Sequence, residues 1–211
     1  MTGARSDTLA LIDYGMGNLG SVDKALRRVG LEPTITSRPA DVEAARAVVL
    51  PGVGACGDCM ENLRNLGLID PVKDAIAAGK PYLGICLGLQ ILFTESEESG
   101  AVPCLDVIPG RVVRFTHDLK VPQIGWNQIR KRSDTPLLDD VEDGSYVYFV
   151  HSYHVVPEDD SVIATTTQYG YEFVSSIARG SMFAMQFHPE KSQAVGLQML
   201  TNFRELVDRC W

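Results

Sequence analysis

Cys86 sits in the run Gly84-Ile85-Cys86-Leu87-Gly88, and a hundred residues on, His188 is followed by Pro189 and Glu190. A cysteine, a histidine and a carboxylate are the parts of an acyl-transfer site: the thiolate attacks a carbonyl, the imidazole moves the proton, and the carboxylate holds the imidazole in one tautomer. Tyr82-Leu83-Gly84-Ile85 reads as a short buried strand behind Pro81, with Leu87, Leu89, Ile91, Leu92 and Phe93 as the apolar face of a following helix. Cys86 is therefore expected on a strand-to-helix turn. Glycines on either side relieve the crowding of such a turn, as in a serine nucleophile elbow, and the first helical N–H groups favour a thiolate.

The base is read from the other end of the chain. Met182 to Phe187 is an apolar strand that delivers His188 to a strand end, and extended backbone would put His188 and Glu190 on a similar side. Pro189 restricts the geometry between them. The turn Pro51-Gly52-Val53-Gly54, after the strand Ala47 to Leu50, can supply N–H groups from Gly52 and Val53 which, with that of Leu87, would form an oxyanion hole. Taken singly, a cysteine after a strand is ordinarily a small buried residue and a His-Pro-Glu a surface turn. Their conjunction is what points to catalysis.

The elements that must carry these residues follow from periodicity. Thr8 to Tyr14, Pro33 to Thr36 and Ala47 to Leu50 read as strands and Leu19 to Val29 as an amphipathic helix. Helical patterns recur at Cys59 to Leu66 and Ile69 to Ala78. This βαβ alternation predicts a doubly wound, flavodoxin-like first half. From Val102 onward short β segments dominate: Val112 to Phe115, Trp126 to Arg130, Tyr146 to Val150, Val162 to Thr167, Phe173 to Ala178 and Met182 to Phe187. A helix from Ala194 to Val207 closes the chain. The expectation is one α/β domain over residues 9–211, a central, mostly parallel mixed sheet flanked by helices, behind a flexible tail at residues 1–8.

Composition narrows the partners. At 211 residues the chain suffices for one domain that buries roughly 70% of its unfolded surface. A net charge of −8 leaves no broad basic surface for nucleic acid, and no apolar run reaches the ~20 residues of a membrane span. Met1 to Thr8 lacks a basic region leading into an apolar one, so no signal peptide is read there and a cytoplasmic protein is expected. Five irregularly spaced cysteines suit a reducing compartment.

Several features compete for attention. Gly15-Met16-Gly17-Asn18-Leu19-Gly20 matches the dinucleotide fingerprint, and Arg38 would suit a 2′-phosphate, which makes an NADP-binding protein the alternative from another class. Asp13 and Tyr14 oppose it, one by charge and one by bulk, so no cofactor is expected. Cys56 and Cys59 have C-x-x-C spacing without a second pair to complete a zinc site, and read as incidental cysteines. His151 and His154 have a helical ligand spacing, but a strand would throw them to opposite faces, so no metal is expected there. His117, beside Asp118, reads as an exposed histidine. The acidic run from Glu95 to Glu98 reads as the solvated end of the Cys86 helix, where one carboxylate would meet the α-ammonium of an amino-acid substrate.

With the cysteine elbow and the later His-x-Glu, the chain resembles the class I glutamine amidotransferases. Within them it is similar to the glutaminase-subunit family of imidazole glycerol phosphate synthase, through Ile12-Asp13-Tyr14-Gly15-Met16-Gly17-Asn18-Leu19, Pro51-Gly52-Val53-Gly54, Ile124-Gly125-Trp126-Asn127, Tyr148-Phe149-Val150-His151-Ser152-Tyr153 and Phe187-His188-Pro189-Glu190-Lys191-Ser192. The resemblance implies a triad of Cys86, His188 and Glu190, and Val53 and Leu87 N–H groups as oxyanion donors. It places Gln90, Glu98, Ser152 and Tyr153 around L-glutamine. It also implies a face made by Asn18, Gln123, Trp126, Tyr148 and Lys191 toward a (β/α)₈-barrel cyclase subunit, in a heterodimer that passes ammonia to histidine biosynthesis and yields imidazole glycerol phosphate and AICAR. Glutaminase subunits serving pyridoxal phosphate or anthranilate synthesis are the nearest alternatives. Leu89 stands where the family commonly has methionine, and Cys56 where it has an aromatic residue.

Overall fold

The computed structural model describes residues 8–210. The tail expected at residues 1–8 lies outside them except for Thr8, whose carbonyl accepts the Arg46 N–H at 3.0 Å. The first half runs β1 (Leu9–Ile12), α1 (Leu19–Arg28), β2 (Pro33–Thr36), α2 (Pro39–Ala44), β3 (Ala47–Gly52), α3 (Cys56–Asn65), α4 (Ile69–Ala77), β4 (Tyr82–Cys86) and α5 (Leu87–Gln90). The second half runs β5 (Phe93–Ser96), β6 (Val102–Pro103), β7 (Ile108–Arg114), β8 (Gln123–Gln128), β9 (Arg130–Lys131), β10 (Tyr146–His151), β11 (Tyr153–Pro157), β12 (Ile163–Tyr169), β13 (Tyr171–Arg179), β14 (Met182–Met185) and α6 (Gln193–Arg209).

One large sheet has the order β2-β1-β3-β4-β14-β13-β11-β7-β5-β6, with β12 and β9 branching from β13; β8 and β10 form a separate antiparallel ribbon. Its first five strands are parallel neighbours, the flavodoxin-like order with β14 in the fifth place. Parallel strands covered on both faces must be apolar on both, and β1, β3 and β4 are buried throughout. Alternation divides them between two cores: Ala10, Ile12, Val48 and Leu50 face one, Leu9, Leu11, Ala47 and Val49 the other. Helix α1 lays Val22, Ala25 and Leu26 on the second core. Its free N–H groups are capped by the Asn18 side chain, and Arg27 and Arg28 complement the dipole at its far end.

The helix expected after Cys86 is a single turn. Leu89, Ile91, Leu92 and Phe93 are all buried, a continuous apolar run rather than the one-sided stripe of a surface helix. The carbonyls of Ile91, Leu92 and Phe93 accept from the N–H groups of residues 105–108, so the chain leaves the helix and enters β5. The run from Glu95 to Glu98 is therefore the end of a strand and a turn, not the end of that helix.

Candidate active site

Strand β4 lies between β3 and β14, parallel to both, and the register pairs Gly52 with Cys86 on one side and Ile85 with Met185 on the other. One step beyond the paired ends, Cys86, Gln186 and the Gly52 turn stand side by side at the carboxyl edge of the sheet, with His188 two residues further along. Cys86 has φ 54 and ψ −105, a backbone conformation that costs a non-glycine residue strain and projects its side chain from the turn. The flanking glycines are there for approach: a Cβ on Gly84 would strike the Gly88 carbonyl, and one on Gly88 the Leu50 carbonyl. A Cβ on Gly52 would strike Leu87 and the Tyr14 hydroxyl.

His188 Nδ1 lies 2.9 Å from Glu190 Oε1, and the two side chains are only 3% and 1% exposed. The link between them is a 3₁₀ turn, Pro189–Lys191, rather than the extended segment expected, because Pro189 opens a helical turn well. His188 is held by its surroundings. Its N–H donates to the Tyr148 carbonyl at 2.9 Å, and its carbonyl accepts from Ser192 Oγ at 2.6 Å; that same oxygen accepts the Tyr148 N–H at 3.0 Å. Behind the turn, Gly196 of α6 packs so close that a Cβ would overlap the Pro189 carbonyl. Burial works against charging His188, but Cys86 and Glu190 outweigh it and raise the imidazole to about 9. Its Nε2 is buried and has no hydrogen-bond partner among the described residues, which leaves it for proton transfer with Cys86.

A cleft of about 260 Å³ opens over Cys86, lined by Val53, Gly54, Leu87, Gln90, Glu98, Pro122, Val150, His151, Ser152 and Tyr153. That is just under the ~300 Å³ at which drug-sized sites begin, the scale of an amino acid. Val53, Leu87, Gln90, Glu98, Ser152 and Tyr153 thus meet at one wall although they come from four separate stretches of sequence. Glu98 is anchored there by the Cys56 N–H, at 2.7 Å.

Gln186 was not singled out in the sequence. It is fully buried, donates from Nε2 to Cys86 Sγ at 3.5 Å, and accepts from Gln90 Nε2 at 3.0 Å; Gln90 Nε2 also reaches the Tyr153 carbonyl at 3.0 Å. The available signal was a lone amide in the apolar run Met182 to Phe187.

The remaining candidates divide. Trp126 and Tyr148 pack edge to face at 5.9 Å on the β8–β10 ribbon, with Lys191 Nζ 5.9 Å from the Tyr148 ring centre. Asn18 is exposed at the start of α1. Gln123 departs from the surface position expected, being 3% exposed with Oε1 3.0 Å from His151 Nε2. His151 and His154 do not fall on opposite sides: the chain passes from the ribbon into the main sheet at Ser152, and both rings pack on Phe115 at 5.1 and 4.9 Å. His117 joins the same cluster, 4.9 Å from Phe115, and is half-buried rather than exposed. In the β1–α1 loop the Asp13 carboxylate accepts the Gly15 N–H at 2.9 Å, so the amide a pyrophosphate would need is already engaged.

Over residues 10–206 the sequence matches the family Glutamine amidotransferase class-I. The chain belongs to that family. Among similar proteins, the imidazole glycerol phosphate synthase subunit HisH of Geobacter sulfurreducens is 51% identical over 205 residues, spanning 94% of this chain and 98% of that one. The HisH subunit of Aquifex aeolicus is 49% identical over 200 residues, spanning 94% and 97%. Solved structures agree on the fold of this amidotransferase. A glutamine amidotransferase crystal structure superposes with TM-score 0.75 at 20% identity over 96% of this chain and all of the other, and PurLQS from Thermotoga maritima with 0.71 at 19% over 96% and 97%.

Proposed function

We propose that this amidotransferase is the glutaminase subunit of imidazole glycerol phosphate synthase, and that Cys86, His188 and Glu190 are its triad. One observation carries the reading: a buried His188–Glu190 pair stands behind a nucleophile whose cleft is walled by Gln90, Glu98, Ser152 and Tyr153. The name borne by relatives about half identical in sequence supports this synthase over those of pyridoxal phosphate or anthranilate synthesis.

With its pKa raised to about 9, His188 is an imidazolium at neutral pH and stabilises the Cys86 thiolate beside it. The thiolate attacks the side-chain amide carbon of L-glutamine. N–H groups of Val53 and Leu87, with the Gly52 turn behind them, receive the charge that develops on the amide oxygen. His188 gives its proton to the departing nitrogen, and ammonia leaves. Neutral His188 then draws a proton from water, which hydrolyses the γ-glutamyl thioester to glutamate.

The ammonia passes to a second subunit, a (β/α)₈-barrel cyclase bound as a heterodimer, which makes imidazole glycerol phosphate and AICAR in the cytoplasm. Trp126, Ile124 and Tyr146 stand 45%, 58% and 55% exposed on the β8–β10 ribbon, an apolar surface suited to such a partner, which Asn18, Tyr148 and Lys191 flank, while Gln123 is buried beneath the ribbon's end against His151. No helix of the described residues is long and apolar enough to cross a membrane.

Cys86→Ala is the direct test. Glutamate release from glutamine should vanish while the partner subunit continues to turn over with ammonium salts. Glutamine-dependent turnover in that variant would overturn the assignment.

A further inference from the structure

Three thiols that the proposed reaction does not use lie beneath the glutamine cleft. Cys56 is the first residue of α3, Cys59 lies one turn along it, and Cys104 follows β6. The sequence spacing draws attention to Cys56 and Cys59. The fold instead brings Cys56 Sγ within 3.2 Å of Cys104 Sγ, across 48 residues of sequence. We propose that Cys56 and Cys104 are an oxidisable pair that closes to a reversible disulfide, distinct from the Cys86 nucleophile.

Geometry supports the pair on both sides. A disulfide bond is about 2.05 Å long, so an approach of about 1 Å joins the sulfurs. The two segments already touch: a Cβ on Gly57 would sit 3.9 Å from Val102 Cγ2, and the Cys104 N–H is fixed on the Thr94 carbonyl at 3.0 Å. Cys56 is fully buried, whereas Cys104 is half-buried and gives an oxidant its entry. The hydrogen bond from Cys104 lowers the Cys56 thiol, so Cys56 carries the thiolate character of the pair. Cys59 is held out of this chemistry, since burial pushes its thiol up to about 12.

The oxidant by class is a hydroperoxide. Entering past Cys104, the peroxide gives one oxygen to the Cys56 sulfur as its O–O bond breaks, leaving a sulfenic acid on Cys56, and from hydrogen peroxide the remaining hydroxyl departs with the Cys56 thiol proton as water. The Cys104 sulfur then attacks the Cys56 sulfur, the S–O bond breaks, and the hydroxyl leaves with the Cys104 proton as a second water. Two thiols have lost two electrons and the peroxide has gained them. A dithiol reductant reverses the change by exchange.

The bond would act on the cleft above it, a consequence that rests on the glutaminase reading. Cys56 donates the 2.7 Å hydrogen bond that anchors Glu98, and Ala55 alone separates it from the Gly52 to Gly54 turn. Drawing Cys56 toward Cys104 displaces both. Oxidation should raise KM for glutamine about fivefold, the scale of one weakened hydrogen bond.

The test uses the full chain carrying Cys210→Ser, which removes the exposed thiol at the end of α6. After hydrogen peroxide, a non-reducing proteolytic map should contain a peptide joining Cys56 to Cys104, lost on dithiothreitol and never formed in Cys104→Ser. Alkylation of both thiols after peroxide, or a Cys56–Cys59 link in place of the expected one, would overturn the proposal. Glutamine kinetics with the partner subunit present are read separately, with peroxide-treated Cys104→Ser accounting for oxidation of Cys86. An unchanged KM in the cross-linked protein removes the effect on the cleft. Reduced protein with no glutaminase activity at all refutes the proposed function and leaves the peptide map to decide the disulfide.

Discussion

Glu190 Oε1 lies 2.9 Å from His188 Nδ1, with both side chains shut off from solvent and a single proline between them in sequence. The charge matters more than the shape of this contact. A carboxylate can only accept, so it fixes the Nδ1 proton and leaves Nε2 toward Cys86. Glu190→Gln keeps the volume and presents an amide that can bind either tautomer. Its kcat for glutamine hydrolysis should fall about a thousandfold, with KM within a fewfold of the parent. Steady-state glutamate release checks this, and an unchanged kcat would remove Glu190 from the triad.

The same pair makes stability depend on pH in a definite direction. His188 is raised to about 9 in the fold against an unfolded value near 6.5, so the folded protein holds the proton more tightly. The resulting stabilisation is complete below pH 6.5 and is lost as pH rises through 9. The unfolding free energy from urea titrations should drop further between pH 6 and pH 9.5 in the parent than in His188→Gln, by a difference on the order of 1–3 kcal/mol. Parallel pH profiles for the two proteins would contradict the raised value.

Ser192 ties the histidine to the β8–β10 ribbon, because its Oγ donates to the His188 carbonyl and accepts the Tyr148 N–H. Ser192→Ala leaves both backbone groups without that partner in a buried place. It should cost about 1–3 kcal/mol of stability and lower kcat about tenfold through misplacement of His188. Denaturant unfolding and glutaminase kinetics on the same preparation separate the two effects.

How much of this could be read from the sequence depended on whether local pattern and tertiary contact agreed. β1, β3 and β4 are short, wholly apolar and punctuated by glycine, so their strands and the turn at Cys86 were legible. The helix after Cys86 was misread because Leu87 to Phe93 is apolar whichever structure it adopts, and only residues 105–108, which capture its carbonyls, decide the outcome. Register was equally invisible. That β14 runs beside β4 with Ile85 opposite Met185 is what puts Gln186 against Cys86, and nothing local to residue 186 announces it. The Cys56–Cys104 contact escaped for the same reason, while the C-x-x-C spacing that caught attention was a coincidence of one helical turn.

Gln186 bridges Cys86 and the wall of the cleft, donating to Cys86 Sγ at 3.5 Å and accepting from Gln90 at 3.0 Å. An amide donor beside sulfur favours the thiolate, so its loss should act on the nucleophile before it acts on binding. Gln186→Leu keeps the bulk of the side chain but leaves Gln90 with the Tyr153 carbonyl alone. Its kcat for glutamine hydrolysis should fall about tenfold, and at one fixed pH the rate of Cys86 alkylation by iodoacetamide should fall severalfold. A purely structural role would lower the urea midpoint and leave the alkylation rate where it was, so that rate separates a partner of the sulfur from a packing residue.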